Sequence, residues 1–236
     1  MIFNEKQIHF SPSLICMDLL NARQEIEVLN QYFDYIHFDV MDGHFCKSMA
    51  LSPRFLHEVR TVTPLPIDVH LMVSHPEDFI DDVLCQSDIV TLHIESITTQ
   101  AFRLISKIKD AGKQVGIAIC PATLANSLEY VIENIDYLTV LGVDVGYVGQ
   151  PLIDSTYRKI RTITEMRAAC GRDFLIQCDG GVRAETFSRL LSAGADMFVL
   201  GKVALFGKHD NLSTACNIMG EEFTQVYELE RKSRQV

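Results

Sequence analysis

Short apolar runs alternate with amphipathic stretches along this whole chain, and that alternation leaves few folds open to it. Strand-like runs start near Ile8, Tyr35, Pro66, Asp88, Gln114, Tyr137, Phe174 and Met197. Helical patterns cover 18–31, 53–60, 76–85, 99–111, 124–131, 155–169, 184–192 and 212–231. A strand followed each time by a helix implies parallel strands joined by crossovers. Eight such units in 236 residues predict a single (β/α)8 TIM barrel over residues 1–236. A doubly wound open sheet is the competing architecture. Against it, the first strand–helix junction, Ser11-Pro-Ser-Leu-Ile-Cys-Met17, carries no Gly-X-Gly-X-X-Gly fingerprint. Local signals support the helices: Ser52-Pro53 reads as a cap followed by proline at the first helical position. Ser74-His-Pro-Glu77 has capping-box spacing, and Gly112 and Gly194 sit where helices stop.

The second run, Ile36-His-Phe-Asp-Val-Met-Asp-Gly43, alternates with a period of two, which puts His37 and Asp39 on one face of a strand. His70 in Ile67-Asp-Val-His-Leu-Met-Val73 and Asp179 in Phe174-Leu-Ile-Gln-Cys-Asp-Gly-Gly181 sit at the ends of two further strands. A His-X-Asp pair alone can be a hydrogen-bonded core pair. Two histidines and two carboxylates at equivalent strand ends point instead to a shared site, because polar groups are rarely buried without a partner or a task. Only a closed barrel brings the second, third and seventh strands to one axis.

Composition narrows the partners. The formal net charge of −10 speaks against a nucleic-acid surface, which needs a basic patch. No run is long and apolar enough to span a membrane, and Met-Ile-Phe-Asn-Glu-Lys-Gln7 lacks the apolar core of a secretory leader, so a cytoplasmic protein is expected. The seven cysteines include no Cys-X-X-Cys pair and read as reduced thiols.

Active sites of such barrels lie at the C-terminal ends of the strands, and loops after the last strands often hold phosphate. Glycines fall there: Gly146-Tyr-Val-Gly-Gln150, Gly180-Gly181 and Gly201. Glycine lets backbone approach an anion and adopt positive φ; βα turns also use glycine, so only the three loops together carry the argument. A divalent ion beside a phosphosugar carbonyl polarises that oxygen and stabilises an enediolate. Two carboxylates can move a proton off one face and return it to the other. The residues alone reach metal-assisted proton transfer on a phosphorylated sugar, with metal-assisted hydrolysis still open.

Ser11-Pro-Ser13, His37-Phe-Asp-Val-Met-Asp-Gly-His-Phe45, Asp68-Val-His-Leu-Met-Val73, Gly146-Tyr-Val-Gly-Gln150 and Asp179-Gly-Gly181 resemble, in order over nearly the whole chain, the motifs of the ribulose-phosphate 3-epimerase family. Ser13-Leu-Ile-Cys-Met-Asp-Leu-Leu20, Leu51-Ser-Pro53 and Gln100-Ala-Phe-Arg-Leu-Ile105 are more similar to its D-allulose-6-phosphate branch. The resemblance implies a metal-dependent 3-epimerase of a phosphorylated ketose, with D-allulose 6-phosphate/D-fructose 6-phosphate favoured and D-ribulose 5-phosphate as the alternative. It implies one divalent ion on His37, Asp39, His70 and Asp179, with Asp39 and Asp179 also the acid/base pair. Zinc is favoured, and manganese, iron and cobalt also suit such a donor set. Ser13, His70, Met41 and Met72 would lie by the sugar, and Gly146, Gly149, Gly180, Gly181 and Gly201 along the phosphate. On spacing alone both methionines read as core residues. A homo-oligomer is implied as well.

The chain departs from the family pattern at Leu141, where a methionine is usual, at Cys46-Lys-Ser48, at Val145 and at Lys202. Lys202, after strand eight, either adds a charge to the phosphate cradle or points into solvent. His44, His93 and Glu95 fall near strand ends and read as supporting residues. Two rival functions frame the expectation. A metal-free decarboxylase on a similar barrel usually needs an Asp-X-Lys-X-X-Asp array, and no lysine occurs between Ile36 and Phe45. A non-catalytic phosphosugar-binding protein gains little from two carboxylates facing an anion.

Overall fold

The computed structural model describes residues 7–233. Its eight strands are β1 His9–Pro12, β2 Ile36–Met41, β3 Ile67–Met72, β4 Ile89–His93, β5 Gln114–Ile119, β6 Tyr137–Leu141, β7 Leu175–Asp179 and β8 Met197–Leu200. Each starts within one residue of its expected position. All neighbours pair in parallel, in the order β1-β8-β7-β6-β5-β4-β3-β2. A parallel bridge between Ser13 and His37 joins the two end strands, so the sheet is a nearly closed (β/α)8 barrel.

Helices cover α1 Ala22–Tyr32, α2 Pro53–Arg60, α3 Ile80–Leu84, α4 Ile94–Ile97, α5 Ala101–Asp110, α6 Ser155–Cys170, α7 Ala184–Ala193 and α8 Leu212–Ser233. The Ser52 hydroxyl caps α2 by accepting from the Phe55 N–H at 3.3 Å, with Pro53 at the first position. Gly112 and Gly194 adopt positive φ just past α5 and α7, as helix stops require. Two local expectations fail. The capping box at 74–77 does not form: the Ser74 N–H donates to Asp42 Oδ2 at 2.7 Å, and a 3₁₀ turn, Pro76–Asp78, precedes α3. Residues 124–131 form no α-helix but the turn Ala125–Leu128, and a second turn, Ile132–Asn134, follows. The Ser127 hydroxyl bonds the Leu124 carbonyl at 2.8 Å, a local alternative to helical bonding. Among the described residues no helix is long and apolar enough to cross a membrane.

Strand alternation divides the barrel into two faces. Ile36, Phe38 and Val40 of β2, and Ile67, Val69 and Leu71 of β3, enter the main apolar core beneath the helices. Their alternates His37, Asp39, Asp68 and His70 are buried among the polar groups that meet inside the barrel. At the β1/β8 seam Phe10 pairs in register with Phe198, and both meet Phe187 of α7 and Phe223 of α8 at centroid distances of 4.7–6.3 Å. Edge-on contacts of this kind add about 0.5–1.5 kcal/mol each beyond the area they bury. Ile89, Tyr137 and Met197 form a separate small buried cluster inside the strands' ring.

Candidate active site

The period-two spacing of β2 turns His37 and Asp39 to the same interior face, and the β2–β3 register sets Asp39 beside His70. Asp179 closes β7. One atom from each converges. His37 Nε2 lies 3.2 Å from Asp39 Oδ1, 3.3 Å from His70 Nδ1 and 3.8 Å from Asp179 Oδ2. His70 Nδ1 lies 3.3 Å from Asp39 Oδ1 and 3.5 Å from Asp179 Oδ2. Bond lengths of about 2.0–2.2 Å around a tetrahedral ion imply edges of roughly 3.3–3.6 Å between donors. These distances lie at or close to that range, His37 to Asp179 being the longest at 3.8 Å, and an imidazole–carboxylate donor set suits a divalent transition metal.

The floor of this centre is a buried hydrogen-bonded network. His37 Nδ1 faces Asp68 Oδ2 at 3.0 Å. Asp68 also accepts from the Thr91 hydroxyl at 2.6 Å and from Gln177 Nε2 at 3.0 Å, and that Gln177 amide donates on to Thr139 at 3.1 Å. Donation from Nδ1 to a carboxylate fixes the His37 tautomer and leaves Nε2 bare toward the other three donors. Asp68 was not singled out in the sequence. The signal was there, because Asp68 and His70 share the same two-residue spacing as His37 and Asp39.

Burial opposes charge on Asp39, but His37 and His70 outweigh it and hold the carboxyl well below the usual range. Burial would likewise lower His37 and His70; Asp39 and Asp68 raise the first, and Asp179 and Asp39 the second. A cation entering this centre therefore competes with protons. Behind His70, burial pushes His93 down to about 4, while hydrogen bonds from His93, Thr123 and Cys120 overcome burial to bring Glu95 down to about 2.

Above the centre opens a cleft. Ser13, Asp39, Met41, Met72 and Asp179 line it, as do Gly146, Gly149, Gly180, Gly181, Gly201 and Lys202. His37 and His70 are fully buried below it. The Ser13 hydroxyl donates to Asp39 Oδ2 at 2.6 Å. Met41 and Met72 pack with Cys46 into a small apolar cluster backed by Val145. Gly180 and Gly181 have φ of +87° and +71°, and a Cβ on Gly181 would stand 2.6 Å from Leu152 Cα. Glycine is thus required there by both conformation and space. Gly201 differs from the expectation of positive φ: its φ is −95°. Lys202, on the cleft rim, is exposed. Arg183 also lines the cleft and ties two of its loops together, donating to the Gln150 carbonyl at 2.9 Å and the Gly181 carbonyl at 3.4 Å. Sequence reasoning passed over it, although a cation two residues after Gly180-Gly181 was a usable signal.

Residues 9–206 match the pattern of the Ribulose-phosphate 3 epimerase family. A ribulose-phosphate 3-epimerase of Treponema pallidum (strain Nichols) is 36% identical over 205 residues, which cover 86% of this chain and 94% of that protein. A chloroplastic ribulose-5-phosphate-3-epimerase of Arabidopsis thaliana is 33% identical, over 88% of this chain and 75% of that one. Among solved structures, orotidine 5'-phosphate decarboxylase from Pyrococcus horikoshii OT3 superposes with a TM-score of 0.65 at 14% identity, over 91% of this chain and 99% of that one. At that identity the likeness is one of fold alone.

Proposed function

The chain belongs to the ribulose-phosphate 3-epimerase family, whose members are isomerases of phosphorylated sugars, and on that premise we propose that it inverts C3 of D-ribulose 5-phosphate through Asp39 and Asp179. The observation that carries this reading is how each carboxylate divides its oxygens. Asp39 turns Oδ1 to both ring nitrogens and leaves Oδ2 with the Ser13 hydroxyl at the cleft. Asp179 turns Oδ2 to the same rings, lines the cleft and keeps 17% of its side chain exposed. Each acid can therefore serve the centre with one oxygen and the substrate with the other.

His37, Asp39, His70 and Asp179 would hold a divalent ion, which when bound polarises the ketose carbonyl and offsets the charge that develops on its oxygen. The rest falls to the chain's own groups. One carboxylate, ionised, takes the C3 proton from one face. The other, protonated, gives its proton to the opposite face. The two acids end with their protonation exchanged, so no proton is gained or lost, and the reverse reaction swaps their roles. The Ser13 hydroxyl orients Asp39 Oδ2. Met41 and Met72 form an apolar wall that keeps water from the carbon between the acids. The phosphate lies against the backbone of the loops holding Gly146, Gly149, Gly180, Gly181 and Gly201, with Lys202 and Arg183 as nearby cations.

Sequence motifs such as Ser13-Leu-Ile-Cys-Met-Asp-Leu-Leu20 favour a hexulose 6-phosphate, whereas the relatives above are named for ribulose phosphate. Their agreement over most of the chain moves the preference to the pentulose. The test is a comparison of kcat/KM for D-ribulose 5-phosphate and D-allulose 6-phosphate on protein loaded with zinc, manganese, iron or cobalt. A higher value for the pentulose is expected; a higher value for the hexulose would return the assignment to the other branch.

A further inference from the structure

His93 and Glu95 touch none of the four converging donor atoms, yet they stand directly behind one of them. His70 Nε2 meets His93 Nε2 at 2.9 Å. The ring centroids are 4.9 Å apart with planes 20° from parallel. On its far side His93 Nδ1 faces Glu95 Oε2 at 3.2 Å. Glu95 Oε1 is already taken by the Cys120 N–H at 2.8 Å and by the Thr123 hydroxyl. Phe45 packs against the His93 ring at 4.6 Å, and His93 itself is fully buried.

With both rings neutral, as an ion at His70 Nδ1 requires, one arrangement of hydrogens satisfies this row. A carboxylate accepts and does not donate, so His93 Nδ1 carries the hydrogen. A neutral imidazole has one, so His93 Nε2 is bare and accepts from His70. His70 must then carry its hydrogen on Nε2, which leaves Nδ1 bare toward Asp39 and Asp179. We propose that Glu95 and His93 are positioning residues: by fixing the tautomer and orientation of His70 they set how tightly the centre holds its ion. His37 receives the same service from Asp68 in one step, and His70 receives it in two. The inference rests on the reading of His70 as an ion ligand.

Glu95→Gln is nearly isosteric but reverses the row. Its carbonyl oxygen stays with the fixed Cys120 N–H, and its amide donates to His93 Nδ1. His93 Nε2 then gains a hydrogen that faces the one on His70. Loss of a supporting partner of this kind weakens ion binding by about 10- to 100-fold. Chelator competition on the zinc-loaded protein should show that loss for Glu95→Gln. Wild-type affinity in a folded Glu95→Gln protein would overturn the proposal. Because that variant can also fail to fold, ¹⁵N imidazole NMR of the wild-type zinc protein gives a second reading: hydrogen on Nδ1 of His93 and on Nε2 of His70 is expected, and the opposite tautomer at either ring would overturn it. His93, Glu95 and Cys120 also lie close enough together to hold an ion themselves. A second zinc per chain, lost in Cys120→Ser, would put metal rather than hydrogen on His93 Nδ1 and overturn the row. His70→Ala separates the two readings: retained zinc there removes His70 from the ligand set, whereas lost zinc beside an unaffected Glu95→Gln removes only the positioning role.

Discussion

The two ends of the cleft are built in different ways. At the β2, β3 and β7 end, side chains do everything: His37, His70 and Asp39 are buried and each is held by named partners such as Asp68, His93 and Ser13. At the β6, β7 and β8 end, backbone dominates: Gly146, Gly149, Gly180 and Gly181 all have positive φ, and the charged groups Arg183 and Lys202 sit at partly open positions. The first kind of site fixes residue types, because a donor atom has no substitute. The second fixes chain path and leaves its cations free to vary. Departures from the family pattern fall at both ends, Cys46-Lys-Ser48 after β2 and Lys202 after β8, while none touches the four donors.

The comparison can be broken by mutation at either end. The largest effect should come from Asp39→Asn and Asp179→Asn, each lowering turnover by about 10²–10⁴-fold. An amide can still offer an oxygen to an ion but cannot carry the C3 proton; near-normal turnover in either variant would remove that residue from the proton path. Asp68→Asn should act through the ion alone, weakening its binding by about 10- to 100-fold in chelator competition, with turnover recovering at saturating metal. Persistent loss of turnover at saturation would mean that Asp68 does more than hold His37. At the backbone end Gly181→Ala should cost about 1–3 kcal/mol in thermal or denaturant unfolding, because φ of +71° and a Cβ 2.6 Å from Leu152 Cα both strain it. It should raise KM as well. An unchanged unfolding midpoint would show that the loop can move without loss. The smallest effect is expected for Lys202→Ala: KM up by about tenfold at low salt, shrinking as salt screens an exposed charge. An unchanged KM at low salt would leave the phosphate to backbone and Arg183.

The same contrast decided what could be read from the sequence. The strands were legible because apolar runs and period-two alternation mark them directly, and His37 and Asp39 were legible because that alternation puts them on one face. Residues 124–131 were misread because an amphipathic pattern does not show that Ser127 bonds locally, to the Leu124 carbonyl. The 74–77 signal failed because a distant residue, Asp42, captured the Ser74 N–H. Arg183 was missed because a cation entering a helix looks like surface until the Gly181 and Gln150 carbonyls are seen beside it. His93 and Glu95 read as supporting residues from their places near strand ends, but their row behind His70 depends on how β3, β4 and the loop after β5 line up across the barrel. Substrate length was not legible either, because short motifs and overall similarity pointed to different sugars.

The central claim is that two carboxylates exchange a proton at C3 of a ketose phosphate across the cleft. It is tested most directly by following D-ribulose 5-phosphate by ¹H NMR in heavy water with the metal-loaded protein. Conversion to the C3 epimer is expected, with solvent deuterium entering at C3 and loss of that exchange in both Asp39→Asn and Asp179→Asn. No exchange and no epimer with the metal-loaded wild type, or exchange that survives both substitutions, would contradict it.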